Sequence, residues 1–429
     1  MDQLSDHNSN LRTLFDSLLC NFDSSILKAQ VNLDQIDVVL RSVLSIKDMR
    51  QAGSFFTGDE LATEVARSFK LPVGNRSVIL DPTCGAGNLL IACSRQIDIQ
   101  NSLVETLKHW GLVLRGYDLY PSFVEATKLR LILEAVHRGC RPDCSIEKAL
   151  TFFPFIEIYD ATKVSAEKVK DVTHIIMNPP FSIWPSPKRD FWRPGKVNAA
   201  GIIFEHYANI LPDNCEISAI LPEVLRSGSR YDGWRNFVEN HFTGDIQVVG
   251  RFNAKTDVDV FKLQGVIRNS MGTIDWHTIS YSPSVSISNF FDVSVGRLVA
   301  YRDPELGPSY PYIHPKNVPL WKTIIRFDER RKFQGTVISP PFVVIRRTSS
   351  PQDKYRASGA IIVGKEPVAV ENHLIIIKPK NNTIKDCNNL LKILKSPETN
   401  AFLNDRIRCR HLTVGAVKQI PYLQNEKSK

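Results

Sequence analysis

Asn178-Pro179-Pro180-Phe181 is the stretch of this 429-residue chain richest in chemistry. It follows an apolar run, His174–Met177, that reads as a strand. It should therefore stand at a carboxyl end, where open α/β sheets bind their ligands. The lone pair of an aromatic amine is delocalised into its ring, so that nitrogen attacks a methyl sulfonium poorly. Two acceptors, one for each N–H, draw the nitrogen toward tetrahedral geometry and localise the lone pair. The side-chain oxygen of Asn178 is one candidate acceptor, and the carbonyl of Pro179 is the other, because proline does not continue a ladder. The prolines hold both in place, which is preorganisation of the kind that lowers barriers. Phe181 offers a flat face to an extruded base. No general base need act before the methyl group moves.

A second stretch supplies a pocket. Asp81-Pro82-Thr83-Cys84-Gly85-Ala86-Gly87-Asn88 follows the apolar run Val78–Leu80 and opens a helix. A strand, a tight glycine turn and a helix N-terminus form a cradle for a nucleotide-like ligand. The spacing is not that of the dinucleotide fingerprint, and no lysine follows to hold a triphosphate. Asp81 at the strand end faces a cationic or hydroxylated group in this reading. Asp118 ends the next strand and is placed to accept from ribose hydroxyls. Asp160 is placed to accept from an adenine amine. Taken alone, the loop also reads as a structural βα turn, Asp118 as an exposed turn aspartate and Asp160 as a plain loop residue.

The elements that must position these residues alternate. Val78–Leu80, Leu112–Tyr117, His174–Met177 and Ile217–Leu221 read as strands, with helices at Leu89–Arg95 and Glu125–Val136. That alternation predicts a parallel sheet with helices on both faces. Upstream, Leu11, Leu14, Leu18 and Leu19, then Ile36, Val39, Leu40 and Leu44, recur at helical spacing. Beyond about Tyr281 the texture changes to Pro, Gly and short β-branched runs: Phe342–Ile345, Ala360–Val363 and Leu374–Ile377.

Taken together, the glycine loop, Asp118 and the Asn-Pro-Pro-Phe tetrad resemble the amino-group DNA methyltransferases. The order of motifs is similar to the gamma subclass, which includes type I modification subunits and some type II enzymes. Ser54-Phe55-Phe56-Thr57-Gly58 resembles the element that precedes the glycine loop there, and Ile220–Leu225 with Tyr231 and Arg235 resembles its later strand and helix. The likeness covers roughly residues 45 to 265. It implies an S-adenosyl-L-methionine site at Thr57, Asp81, Gly85, Gly87, Asp118 and Asp160, and a target-amine site at Asn178, Pro179 and Phe181. It implies adenine-N6 methylation of double-stranded DNA in a restriction-modification or phage-defence setting. Gly58 stands where the family often has proline, which weakens the assignment of Thr57.

The expected fold is α/β: a doubly wound Rossmann-like methyltransferase domain over 51–280, a helical N-terminal segment over 1–50, and a smaller mixed, β-rich domain over 281–429. That last domain has no motif-level match. Target recognition falls to it by position and charge, and its candidate DNA contacts are Arg346, Arg347, Arg406, Arg408 and Arg410. Arginine forks onto guanine edges and holds phosphates. The bland reading is a solvated face, or ion pairs with Asp353, Glu371 and Asp405.

Composition is compatible with all of this. A net charge of +9 suits a protein that meets phosphate. With 43% hydrophobic and 23% charged residues, the chain has the make-up of an ordinary soluble globular protein. No run approaches the ~20 apolar residues of a membrane helix. The N-terminus does not look like a secretory signal, and eight scattered cysteines suggest reduced thiols, so a cytoplasmic location is expected. Cys140 and Cys144 have near-ligand spacing but no second pair, so no metal site is expected. Possible partners are a cognate restriction enzyme or a specificity subunit, without which a type I-like subunit would be inert. A glutamine or RNA methyltransferase and a silent DNA-binding scaffold are the competing readings.

Overall fold

The computed structural model describes residues 4–20, 27–28, 31–43, 57–253, 256–268, 272, 274–277 and 285–422. Ser54, Phe55 and Phe56 of the upstream element, Leu44, and the side chain of Leu40 lie outside the described residues. The chain divides into two compact units: 1–226 with 230–276, and 227–229 with 277–429.

The strands of the first unit are β1 (Ile79–Asp81), β2 (Leu114–Asp118), β3 (Ile156–Ile158), β4 (His174–Met177), β5 (Ile183–Pro185), β6 (Lys196–Asn198), β7 (Glu216–Pro222), β8 (Phe242–Asn253) and β9 (Thr256–Ile267). Seven of them form one sheet in the order β3-β2-β1-β4-β7-β9-β8, and β5 with β6 makes a separate ribbon. Pairing is parallel from β3 to β7 and antiparallel at β7–β9 and β9–β8. From β1 the chain steps to β2 and β3 on one side, then returns to β4 on the other. The crevice above the carboxyl ends of β1 and β4 is thus the switch point of a doubly wound sheet, where ligands bind.

The central strands β1, β4 and β7 are buried along their whole length. They can be continuously apolar because helices cover both faces. Successive residues alternate between those faces: Ile79 and Ile176 enter one core with Leu90, Leu107 and Leu131, while Leu80 and Ile175 enter the other with Phe204, Tyr207 and Trp234. Gly111, in the helix Leu103–Val113, allows a close approach; a Cβ there would stand 1.7 Å from the Phe152 carbonyl oxygen.

The helix Ser5–Cys20 packs on the helix Pro121–His137, with Asn8 donating to Glu125 at 3.0 Å and Arg12 to the same carboxylate at 2.9 Å. Its inward stripe differs from the expected one: Leu11, Phe15 and Leu18 are buried, whereas Leu19 is 45% exposed. Phe15 takes the place because it lies four residues from Leu11 and three from Leu18, on the same face.

The second unit contains β10 (Phe291–Val295), β11 (Ser309–Ile313), β12 (Thr323–Ile324), β13 (Arg330–Lys332), β14 (Phe342–Arg346), β15 (Gly359–Ile362), β16 (Ala369–Val370) and β17 (Leu374–Pro379). A five-stranded mixed sheet, β10-β17-β14-β15-β12, and a three-stranded one, β13-β11-β16, carry them. The helices Ile384–Leu394 and Pro397–Arg406 close the larger sheet with Leu390, Leu394 and Phe402. The unit is mixed and β-rich, as its texture suggested. Among the described residues no helix is long and apolar enough to cross a membrane.

Candidate active site

A cavity opens above β1 and β4, and the glycine loop forms its floor. β1 ends at Asp81, whose carboxylate accepts the Thr83 N–H at 3.0 Å and so tightens the turn. The Cys84 N–H bonds to the Tyr117 carbonyl at 2.9 Å, which ties the loop to β2. Gly85 and Gly87 both have positive φ, 53° and 85°, a region costly for residues with a Cβ. At Gly87 a Cβ would also come within 2.8 Å of Thr127, whose hydroxyl donates to the Gly85 carbonyl at 2.8 Å. Asp118 closes the loop from β2 by accepting the Gly85 N–H at 3.1 Å and the Tyr120 N–H at 2.9 Å.

Thr57, Asp81, Gly85, Asp118, Asp160 and Asn178 all line this one cavity. The structure thus brings together five of the six residues expected to meet a cofactor. The sixth, Gly87, forms the turn without lining the cavity. Of the three residues expected at the target amine, Asn178 lines it, while Pro179 and Phe181 do not. Pro179 is buried, and Phe181 packs edge-on against Phe252 at 5.7 Å.

The electrostatics of the wall are one-sided. Three carboxylates line it, and among the lining residues there is no lysine, arginine or histidine. Burial pushes Asp81 up to about 8, against the pull of the Thr83 N–H and with a further push from Asp118. Burial also raises Asp118 to about 6, against the Tyr120 and Gly85 N–H groups. Asp160 goes the other way: burial raises it, but hydrogen bonds from Thr162 and Lys163 outweigh that and hold it below the usual carboxylate range. Carboxylates stripped of water favour a guest that brings positive charge and hydroxyl donors. The same wall repels a phosphate.

Asn178 leaves β4 half-buried, and its amide nitrogen donates to the Thr57 hydroxyl at 3.1 Å. That contact sets the plane of the amide and assigns its oxygen the acceptor's role. Thr57 is itself buried. The Phe181 carbonyl, at the end of the tetrad, accepts the Asn198 side chain at 3.0 Å, and the Tyr231 hydroxyl accepts the Asn198 N–H at 2.9 Å. A Cβ on Gly58 would lie 2.7 Å from the Asp34 carboxylate, which accepts the Asp59 N–H at 3.0 Å and caps the helix Asp59–Arg67.

Motif reading missed several wall residues: Tyr120, Phe123, Tyr159, Pro180, Trp184 and Ile203. Trp184 had an available signal, an aromatic residue on a strand three positions after the tetrad. Phe123 and Ile203 had none, because they reach the cavity only through helix packing.

In the second unit, two of the basic stretches converge. The Leu412 N–H donates to the Arg347 carbonyl and the Ser349 N–H to the Arg410 carbonyl, each at 2.8 Å. His411, beside them, is pushed down by burial and by Arg347, His373 and Arg410. Arg346 ends β14, the Arg406 guanidinium stacks over Phe402 at 5.4 Å, and Arg408 is half-buried. Arg356, from the same basic region, is a structural residue. It is fully buried, and it holds the 404–409 segment through Asn404 and the carbonyls of Ile407 and Cys409.

A doubly wound sheet with an acidic cavity at its switch point and an Asn-Pro-Pro-Phe turn beside it is the architecture of an α/β ligand-binding domain. Residues 39–224 match the N-6 DNA methylase family model. No curated protein matches the sequence. Among solved structures the chain is similar to the type IIL restriction-modification enzyme MmeI, with 11% identity over 92% of this chain and 72% of that one and a TM-score of 0.52. It is similar to the type IIG restriction endonuclease BpuSI, with 13% identity over 92% and 61% and a TM-score of 0.46. It is also similar to a type I methyltransferase subunit from Streptococcus thermophilus, with 18% identity over 61% and 53% and a TM-score of 0.35. The chain thus spans about three fifths of BpuSI and half of the Streptococcus subunit. The likeness to MmeI is one of fold.

Proposed function

We propose that the first unit transfers a methyl group from S-adenosyl-L-methionine to the N6 amine of adenine in DNA, and that the second unit contacts the DNA. The observation that carries this reading is the placement of Asn178. Its amide, held by Thr57, opens onto the same cavity whose floor holds Asp81 and Asp118. The wall suits this cofactor, because its carboxylates match cationic and hydroxyl groups. S-adenosyl-L-methionine supplies, when bound, an electrophilic methyl group on a sulfonium.

Asp118 accepts ribose hydroxyls, Asp81 balances positive charge beside the loop, and Asp160 accepts from a purine amine. Gly85 lets the backbone come close. Asn178 Oδ1 and the Pro179 carbonyl each accept one N–H of the target amine, which localises the nitrogen lone pair for attack. Phe181 and the wall residue Trp184 give the extruded base apolar faces to lie against. Arg346, Arg347, Arg406, Arg408 and Arg410 supply the basic surface of the second unit. MmeI was solved in complex with DNA, and the fold it shares with 92% of this chain supports assigning DNA contact here. A cognate restriction enzyme or specificity subunit is a partner of the kind this reading accommodates.

Asn178→Ala tests the central role. Turnover on DNA is expected to fall by at least ~100-fold, the scale of a lost preorganised acceptor or donor. Cofactor affinity by calorimetry should stay within about twofold, since one tenfold step is ~1.4 kcal/mol and no cofactor contact is removed. Undiminished turnover refutes the role.

A further inference from the structure

Behind the glycine loop lies a buried polar cluster that joins Asn88, the last residue of the loop stretch, to residues that no motif marks. Arg130, on the helix Pro121–His137, is fully buried. Its guanidinium donates to the Ala86 carbonyl in the loop and to the Asn88 side-chain oxygen, the latter at 2.7 Å. Asn88, the first residue of the helix after the loop, is also buried. Its amide nitrogen donates twice, to the carbonyls of Leu33 and Thr57, each at 2.7 Å. Thr57 in turn accepts the Asn178 amide nitrogen on its hydroxyl. Arg95 grips the same strand of chain from the other side, through the Val31 carbonyl at 3.0 Å and Asp59 at 2.8 Å, while pairing with Glu134 at 3.2 Å.

We propose that Asn88, oriented by Arg130, is a positioning residue for the reaction: it fixes Thr57, and through Thr57 the acceptor amide of Asn178, to the cofactor loop. The proposal rests on the methyltransferase reading above and extends it to Asn88, which lines the cavity beside the loop, and to Arg130, which does not. The chemistry of the amide makes the arrangement specific. Asn88 must accept from Arg130 and donate to two carbonyls at once, and among residues of its size only asparagine does both. Its buried bonds are worth most where water is excluded. Because the loop and the amide share this link, the distance between the cofactor's floor and the target amine is set by the Asn88 side chain at the edge of the cavity.

Two variants separate the links. Asn88→Asp keeps an acceptor for Arg130 but can no longer donate to Leu33 and Thr57. Thr57→Val keeps shape and backbone carbonyl but removes the hydroxyl that Asn178 uses. The full-length chain is assayed for methyl transfer to DNA, for S-adenosyl-L-methionine affinity by calorimetry, and for the Asn178 side-chain amide resonance, assigned by its loss in Asn178→Ala. Each single variant is expected to lower kcat about tenfold to a hundredfold, the scale of a small misplacement. KM for DNA should change little, and the Asn178 resonance should shift. The double variant should be no worse than the worse single, because both act along one path. Additive losses in the double, or an unshifted Asn178 resonance in Asn88→Asp, overturn the proposal. A wild-type chain that binds cofactor but methylates no DNA overturns the functional reading instead, and the resonance still decides the positioning role. If Asn88→Asp does not fold, Arg130→Lys, which keeps one donor, is read the same way.

Discussion

Asp81 and Asp118 are the residues on which the cavity's electrostatics turn. Asp81 sits at about 8 rather than 3.8 because it is buried, and Asp118 at about 6 for the same reason. The folded protein therefore holds protons that the unfolded chain releases. The contribution of these two groups to stability without cofactor is fully present below the unfolded values and is lost as pH rises from about 4 to about 8. A cationic guest reverses the preference, since it favours the charged carboxylates. Calorimetry at pH 6.5 in buffers of different ionisation heat should show protons released on S-adenosyl-L-methionine binding, and Asp81→Asn should abolish most of that release while stabilising the empty protein. Proton uptake on binding would contradict the assignment. Asp81, Asp118 and Asn178 were legible in the sequence because each stands at the end of an apolar run read as a strand, although Leu112 and Val113 of the run before Asp118 end a helix instead. Arg130 was not, since nothing local distinguishes a buried arginine from a solvated one, and Asn88 stood in the loop stretch with no sign of the carbonyls it bonds.

At the level of elements, the site exists because three short strands end side by side and a glycine turn bends between two of them. The run Val78–Leu80 and the strand β1 differ by one residue, and His174–Met177 coincides with β4. Continuous apolar strands flanked by turns are read well from sequence. The helix Leu103–Val113 and the antiparallel pair β8–β9 escaped such a reading. The helix runs without a break into β2, and β8–β9 carry polar residues on an alternating pattern interrupted by irregular register. Gly111 tests how closely that helix must approach. Gly111→Ala would drive a Cβ into the Phe152 carbonyl, and backbone cannot move aside as a side chain can. A loss of ~2–4 kcal/mol in denaturant unfolding is expected, at the severe end for overpacking. A loss under ~0.5 kcal/mol would mean the two segments are not so tightly apposed.

At the scale of the whole molecule, the proposed function gives the chemistry to one unit and DNA contact to the other, whose arginine stretches carry no recognisable motif. Net charge and the arginine stretches pointed to the second unit. The contacts that bring Arg347 beside Arg410 lie some sixty residues apart in sequence, so their convergence was invisible there. If both guanidiniums meet phosphate, Arg347→Ala with Arg410→Ala should flatten the slope of log affinity against log salt by about 2, each phosphate contact contributing ~0.9. An unchanged slope would place the DNA-contacting surface elsewhere.

Adenine methylation is measured by incubating the purified chain with labelled S-adenosyl-L-methionine and mixed genomic DNA, then digesting the DNA to nucleosides. Label is expected in N6-methyl-2′-deoxyadenosine. Label confined to RNA or protein, or none in DNA from a chain that binds the cofactor, would contradict the proposed reaction.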